Sequence, residues 1–188
     1  MPDQLKLRLQ ESFHLFEDKA LAIPEFPSGW QGQLRCRDRR LAIGHRTLIM
    51  GIINVTPDSF SGDGVDRRID EAVALGRQMV ADGADLLDVG GESTRPGARS
   101  VEAAEEIDRV VPVLAALAHL VQVPLSVDTR KPRVAESALR AGAHLVNDVA
   151  GLQRDPGMAE VVSAFDAAVV AMHSPGESWE ISWPVAYG

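Results

Sequence analysis

From residue 48 onward the chain is punctuated by short apolar runs that each stop on a polar residue. LIMGIIN ends at Asn54, DLLD at Asp88, PLSVD at Asp128, HLVN at Asn147 and AAVVAMH at His173. The stretches between them have a different period. DRRIDEAVALGRQMVADGA carries Ile69, Val73, Met79 and Val80 at helical spacing and stops near Gly83. SVEAAEEIDRVVPVLAALAHL reads as a second helix, with Ser100 as its N-cap and Glu102, Glu105 and Glu106 loading its first turns with negative charge. KPRVAESALRAG is a third, with Pro132 in its first turn and Gly142 at its end, and DPGMAEVVSAFD a fourth. Short apolar strands alternating with helices predict right-handed βαβ units and a parallel sheet buried on both faces.

Ligands of β/α folds sit at the carboxyl ends of the strands. The polar strand ends therefore predict the rim of one pocket. Five strands are used by His173 in a chain of 188 residues, whereas a complete barrel takes about 250 residues. Five parallel strands do not close at the geometry of eight. Two readings fit, an open α/β sheet or the first part of a (β/α)8 barrel. Ahead of this region, residues 1–30 are mixed and end in the Pro-rich IPEFPSGW, an extension; residues 33–43, QLRCRDRRLAI, read as a hairpin around a charged turn. The expected division is residues 1–45 for extension and hairpin, and 46–188 for the β/α domain.

The formal charge of −8 argues against wholesale nucleic-acid binding, so an anionic ligand would be met by a few placed cations, backbone N–H groups or a metal. A lone cysteine, Cys36, makes no internal disulfide and fits a reducing compartment. The charged N-terminus lacks the apolar core of a signal peptide, and no apolar run approaches bilayer-spanning length, so the expectation is a soluble cytoplasmic protein.

The loop NVTPDSFSGDG offers Asn54, Thr56, Asp58 and Ser59. An amide oxygen near acidic and hydroxyl oxygens suits a hard cation such as Mg²⁺ bridging to phosphate; a turn that satisfies its own backbone fits equally. In GGESTRPGARS, Thr94 can donate to an anion and Arg95 presents a planar fork, although a solvated arginine in a Gly-rich turn would look the same. Asp128 and Asn147 follow apolar strands, where an unpaired polar group is costly. Together they could hold the donor and acceptor edge of a guanidine-like heterocycle, or cap the helices that follow. Thr129 is available for the cap after Asp128, and Asp148 could cap or orient. Asp88 divides equally between structure and function. Met172 could wall a flat ring or fill core. No His or Cys partner stands at ligand spacing from His173, and no glycine-rich nucleotide fingerprint follows the first strand.

MGIINVTPDSFSGDG, DVGGESTRPGA, SVDTRKP and AHLVNDVAG, in that order within residues 48–173, closely resemble the signature segments of the dihydropteroate synthase family of folate biosynthesis. The resemblance implies a TIM barrel that condenses 6-hydroxymethyl-7,8-dihydropterin diphosphate with 4-aminobenzoate, releases pyrophosphate and uses Mg²⁺. The chain would then be a partial (β/α)8 TIM barrel, about the first five strands and four helices, after a short extension and hairpin. By motif position, the resemblance implies that Asn54 contacts the Mg²⁺–diphosphate unit. It implies that Asp128 and Asn147 hold the pterin ring, with Met172 near it. Asp58, Ser59, Phe60 and Pro96 would form the aminobenzoate subsite, and Thr94 and Arg95 would close over the diphosphate; Asp58, Thr94 and Arg95 are the residues implied for the chemical step.

One departure is the order Ser61-Gly62-Asp63-Gly64, where many members have Ser-Asp-Gly-Gly. A larger one is that later family segments, with a further carboxylate, a lysine and anion-binding cations, are not found by Gly188. The expectation is an N-terminal portion, inactive as it stands, of an enzyme that is homodimeric at full length and a sulfonamide target. Its partners would be small molecules, with neither nucleic acid nor membrane among them. Alternatives are a pterin-binding module of a corrinoid-dependent methyltransferase, which the segments NVTPDSF and STRPGA oppose, or a non-catalytic half-barrel.

Overall fold

The computed structural model describes residues 31–56, 65–93 and 100–172. Two strands come first, β1 (Gly32–Cys36) and β2 (Arg39–Ile43), an antiparallel hairpin with Cys36 opposite Arg39. Its turn places Arg37 at φ 59°. The β/α region then runs β3 (Met50–Asn54), α1 (Val65–Ala81), β4 (Leu86–Gly90), α2 (Ala103–Leu120), β5 (Leu125–Asp128), α3 (Pro132–Arg140), β6 (Leu145–Asp148), α4 (Gly157–Ala164) and β7 (Ala168–Ala171). The strands β3-β4-β5-β6-β7 form one parallel sheet in chain order.

Which side the helices take decides between the two sheet readings. One face of the sheet, with Ile53, Leu87, Val89, Leu125, Val127 and Val146, is buried in a single core with residues of all four helices. The alternate residues face the other way, and there Ile52 is 57% exposed and Val170 40% exposed. A doubly wound sheet carries helices on both faces. A sheet in sequential order with helices on one face is a segment of barrel wall, and the expectation of both faces covered is corrected accordingly. Close packing of wall and helix is visible at Gly76 of α1, where a Cβ would stand 2.9 Å from Ile53 Cδ1 and 3.0 Å from Leu117 Cδ2.

The hairpin closes the floor. Cys36 and Leu41 share a small core with Leu86, Leu145 and Ala168, the first residues of β4, β6 and β7. The expected boundary near residue 45 falls between β2 and β3, yet hairpin and sheet share this core. Arg37 in the hairpin turn donates to the carbonyls of Leu139 at 2.8 Å and Ala143 at 2.7 Å, tying the hairpin to the end of α3 and the turn that follows it. The chain then turns at Gly142, at φ 111° as its place after a helix requires.

The N-cap of α2 is a correction. Glu102, not Ser100, takes that position, and it makes no side-chain cap bond. Glu106 is a second one. Read only as negative charge in the first turns of the helix, it proves fully buried, in the same stripe as Val110, Val113, Leu114 and Leu117.

Candidate active site

Parallel pairing carries the ends of four strands into one row: Asn54 is level with Gly90, Gly90 with Asp128, and Asp128 with Asn147. In a pleated sheet residues in register share a face. Asn54, Asp128 and Asn147 therefore stand together on the face away from the helices, at the carboxyl rim. Between Asn54 and Asp128 lies Gly90. A Cβ there would be 3.5 Å from Asp128 Oδ2 and 3.7 Å from Asn54 Oδ1, so both oxygens lean over the bare glycine. These are ordinary contacts. The fold would tolerate a methyl group at that point, and what the glycine leaves open is the floor of the rim.

One layer below, Asp88 is in register with Ser126 on the same face. Asp88 is 3% exposed and Ser126 fully buried. Asp88 Oδ2 accepts a hydrogen bond from Asn147 Nδ2 at 3.0 Å. Among the described residues, Asp88 Oδ1 and Ser126 Oγ have no full hydrogen-bond partner. Burial raises the Asp88 pKa, although Ser126 and Asn147 work against the rise. The role of Asp88, open from the sequence, is now specific: it occupies one N–H of Asn147 and so fixes which way that amide points.

Asp128 is the most perturbed group of the site. Burial first, and then the carboxylates of Asp88, Glu106, Asp148 and Glu92, raise its pKa from 3.8 to about 7. Neither it nor Thr129 caps α3, whose N-cap is Lys131 without a side-chain cap bond; Thr129 Oγ1 accepts from the Lys131 N–H at 3.2 Å. A half-buried acid poised near neutrality and offered to the rim is suited to a ligand edge rich in N–H donors. Asp148 is structural: its two carboxylate oxygens accept from the Ala150 and Leu152 N–H groups, each at 2.8 Å. Met172 lies 38% exposed at the end of β7, its N–H bonded to the Asp148 carbonyl at 3.1 Å. Asp58, Ser59, Phe60, Thr94, Arg95, Pro96 and His173 lie outside the described residues.

Beside the rim stands a cluster that sequence reasoning missed. Glu92 Oε1 accepts from the Val101 N–H and from Arg130, each at 3.0 Å, and Glu92 Oε2 accepts from Lys131 Nζ at 2.8 Å. Lys131 also bonds the buried Glu106. Burial would raise the Glu92 pKa, but Lys131, the Val101 N–H and Arg130 outweigh it and hold the carboxyl below its usual range. A glutamate in the apolar stripe of α2 was the available signal, since position 106 is in helical register with Val110, Val113 and Leu117.

As for a metal, no group of three His, Cys, Asp or Glu side chains converges among the described residues. The exposed amide oxygen of Asn54 fits Mg²⁺ in one specific way, as a single neutral protein ligand to an ion that keeps waters and binds phosphate.

Residues 50–183 match the family described as "Pterin binding enzyme". A dihydropteroate synthase of Clostridium beijerinckii is 46% identical over 141 residues, 75% of this chain and 52% of that protein. The dihydropteroate synthase of Bacillus subtilis is 46% identical over 137 residues, 73% of this chain and 48% of the relative. The Xanthomonas albilineans dihydropteroate synthase with 4-aminobenzoic acid superposes with a TM-score of 0.73 at 48% identity, covering 79% of this chain and 54% of that one. A structure of the X. albilineans protein with 7,8-dihydropteroate gives 0.68 at 42% identity, covering 79% and 53%. The chain thus spans about half the length of the relatives it matches.

Proposed function

Since the chain belongs to the pterin-binding enzyme family, we propose that it forms the pterin and metal–diphosphate part of a dihydropteroate synthase, and that by itself it binds without turning over. Such an enzyme joins 6-hydroxymethyl-7,8-dihydropterin diphosphate to 4-aminobenzoate with loss of pyrophosphate. The observation that carries this reading is the convergence of Asn54 Oδ1 and Asp128 Oδ2 over Gly90, with Asn147 next in the row. One end of that row is a neutral oxygen for a cation, and the other is a carboxyl and an amide for a heterocycle.

In this reading the ring amino and N–H groups donate to Asp128. Ligand binding draws that carboxyl from half-protonated, at its pKa of about 7, to fully ionised. Asn147, with one amide N–H committed to Asp88, presents its oxygen and its other N–H to the ring. Met172 flanks the ring. Asn54 contributes its amide oxygen to Mg²⁺, which when bound offsets the charge of the departing diphosphate. Thr94 and Arg95 serve the same oxygens, and Asp58, Ser59, Phe60 and Pro96 receive the aminobenzoate. The bond from the exocyclic carbon to diphosphate oxygen breaks with its electron pair on oxygen. The arylamine nitrogen bonds to that carbon and gives up a proton to water. An arylamine is nucleophilic enough for a carbon losing diphosphate, so no strong protein base is required. The proposal extends to a homodimer for the family's full-length form and to a cytoplasmic location; among the described residues no helix is long and apolar enough to cross a membrane.

The test is calorimetric titration of the chain with the pterin diphosphate and Mg²⁺, joined to an assay for pyrophosphate release with 4-aminobenzoate. Saturable binding of the pterin, lost in Asp128→Ala, is expected, with no pyrophosphate released by the chain alone. Binding that is indifferent to Asp128, or equal preference for methyltetrahydrofolate, overturns the reading.

A further inference from the structure

Two cations follow the key carboxyl closely in the chain. Arg130 and Lys131 come two and three residues after Asp128. Either is long enough to fold back and pair with it, and a half-buried carboxylate is the natural target for such a cation. Yet among the described residues no salt bridge joins Asp128 to a cation. Arg130 and Lys131 instead reach Glu92, and Lys131 also Glu106. The members of this cluster are well buried: side-chain exposure is 10% for Arg130, 21% for Lys131, 9% for Glu92 and 0% for Glu106. Glu92 is further pinned by the Val101 N–H, so it cannot follow a cation that turns toward the rim.

We infer that Glu92 and Glu106 are positioning residues that hold Arg130 and Lys131 away from Asp128, leaving its carboxyl free for a ligand instead of locked to a neighbouring cation. The groups near Asp128 agree with this. Asp88 on β4, Glu92 after β4, Glu106 on α2 and Asp148 on β6 all act on it with negative charge. A carboxyl surrounded in this way, with two cations at hand and both diverted, is preserved as an acceptor. The same diversion explains a buried glutamate in the apolar stripe of α2, which packing alone would not select.

The inference rests on the reading of Asp128 as the pterin acceptor, and the experiment separates the two. Glu92→Gln is nearly isosteric and keeps an oxygen for the Val101 N–H while releasing its hold on the cations. Affinity for 6-hydroxymethyl-7,8-dihydropterin, which lacks diphosphate, is measured by calorimetry on the chain at pH 8.5, above the Asp128 pKa of about 7. A fall of about tenfold is expected. Adding Arg130→Met or, separately, Lys131→Met in the same chain is expected to return affinity to within about threefold of the parent for whichever cation has turned to Asp128. A merely structural cluster gives the opposite order, with both double variants at least as weak as the single one. That order overturns the inference, as does unchanged affinity in Glu92→Gln. A crystal structure of Glu92→Gln without ligand provides a second readout, in which Lys131 or Arg130 is expected within salt-bridge distance of Asp128. Both cations still turned away overturns the inference. Should the parent chain fail to bind the pterin, the functional reading falls, and this crystal structure still decides where the cations go.

Discussion

The same strands begin and end in different chemistry. At their amino ends Leu86, Leu145 and Ala168 are sealed under the hairpin by Cys36 and Leu41. His144, just before β6, is 7% exposed and accepts the Leu125 N–H at Nδ1, 3.1 Å away. At their carboxyl ends Asn54 and Asp128 stand over a bare glycine with Asn147 next in the row, and an acid is held near neutrality. One layer below, among the described residues, Asp88 Oδ1 and Ser126 Oγ have no full hydrogen-bond partner. The floor has the residues a fold needs to hold together, and the rim has polar groups that burial makes costly and that, in the proposed reading, a ligand would satisfy. In β/α barrels this division between stabilising and functional ends is general. Here it lies within five strands of four or five residues each.

Breaking the floor should cost stability and spare binding. Leu145→Ala removes a side chain that is 1% exposed, and is expected to lower unfolding free energy by about 2–5 kcal/mol in urea melts. Pterin affinity per folded molecule should hardly change. Breaking the rim should do the reverse: Asp128→Ala is expected to weaken pterin binding by about a hundredfold, about 2.7 kcal/mol, while the chain melts no earlier than its parent. If the floor variant lost as much affinity as the rim variant, the division would be false.

The two ends also titrate with opposite sign. Asp128 in the folded state keeps its proton up to about pH 7, whereas the unfolded chain releases it near 3.8. Its contribution to stability therefore falls as pH rises through that window. Burial lowers the His144 pKa below 6.5, so the unfolded chain takes up a proton first and stability falls as pH drops below that value. Asp128→Asn should flatten the limb above pH 4 and raise stability at pH 8 by on the order of a few kcal/mol. His144→Gln should flatten only the acid limb. Denaturant melts across this range check both.

Two finer tests sharpen the rim itself. Asn54→Ala is expected to remove most of the Mg²⁺ dependence of diphosphate binding, about a tenfold effect, and to leave affinity for the pterin without diphosphate unchanged. Gly90→Ala should fold normally, since its Cβ would meet Asp128 and Asn54 at ordinary contact distances. By filling the rim floor it should weaken ligand binding about threefold to tenfold.

The strand and helix pattern was legible because each element repeats its own period, and hairpin, strands and helices all stand near their expected places. Asp128 and Asn147 could be read as site residues because polar side chains ending apolar strands are costly without a purpose. Glu92 and Glu106 were not legible as partners of Arg130 and Lys131. Their pairing spans 38 and 39 residues for Glu92, and 25 for the bond from Lys131 to Glu106. The place of Glu106 in the apolar stripe of α2 marks it as buried but does not say which cation meets it. Ser126 was passed over because a hydroxyl within an apolar strand has no marked period of its own.

By itself the sequence determined the β/α alternation, the row of polar strand ends and the family, since these depend on local period and on motifs of contiguous residues. Only the tertiary structure decided that the described helices take one face, that Asp88 orients Asn147, and that two cations beside Asp128 are held elsewhere. Those outcomes depend on side chains from separate strands and helices competing for the same partners, and that competition is settled when the elements pack.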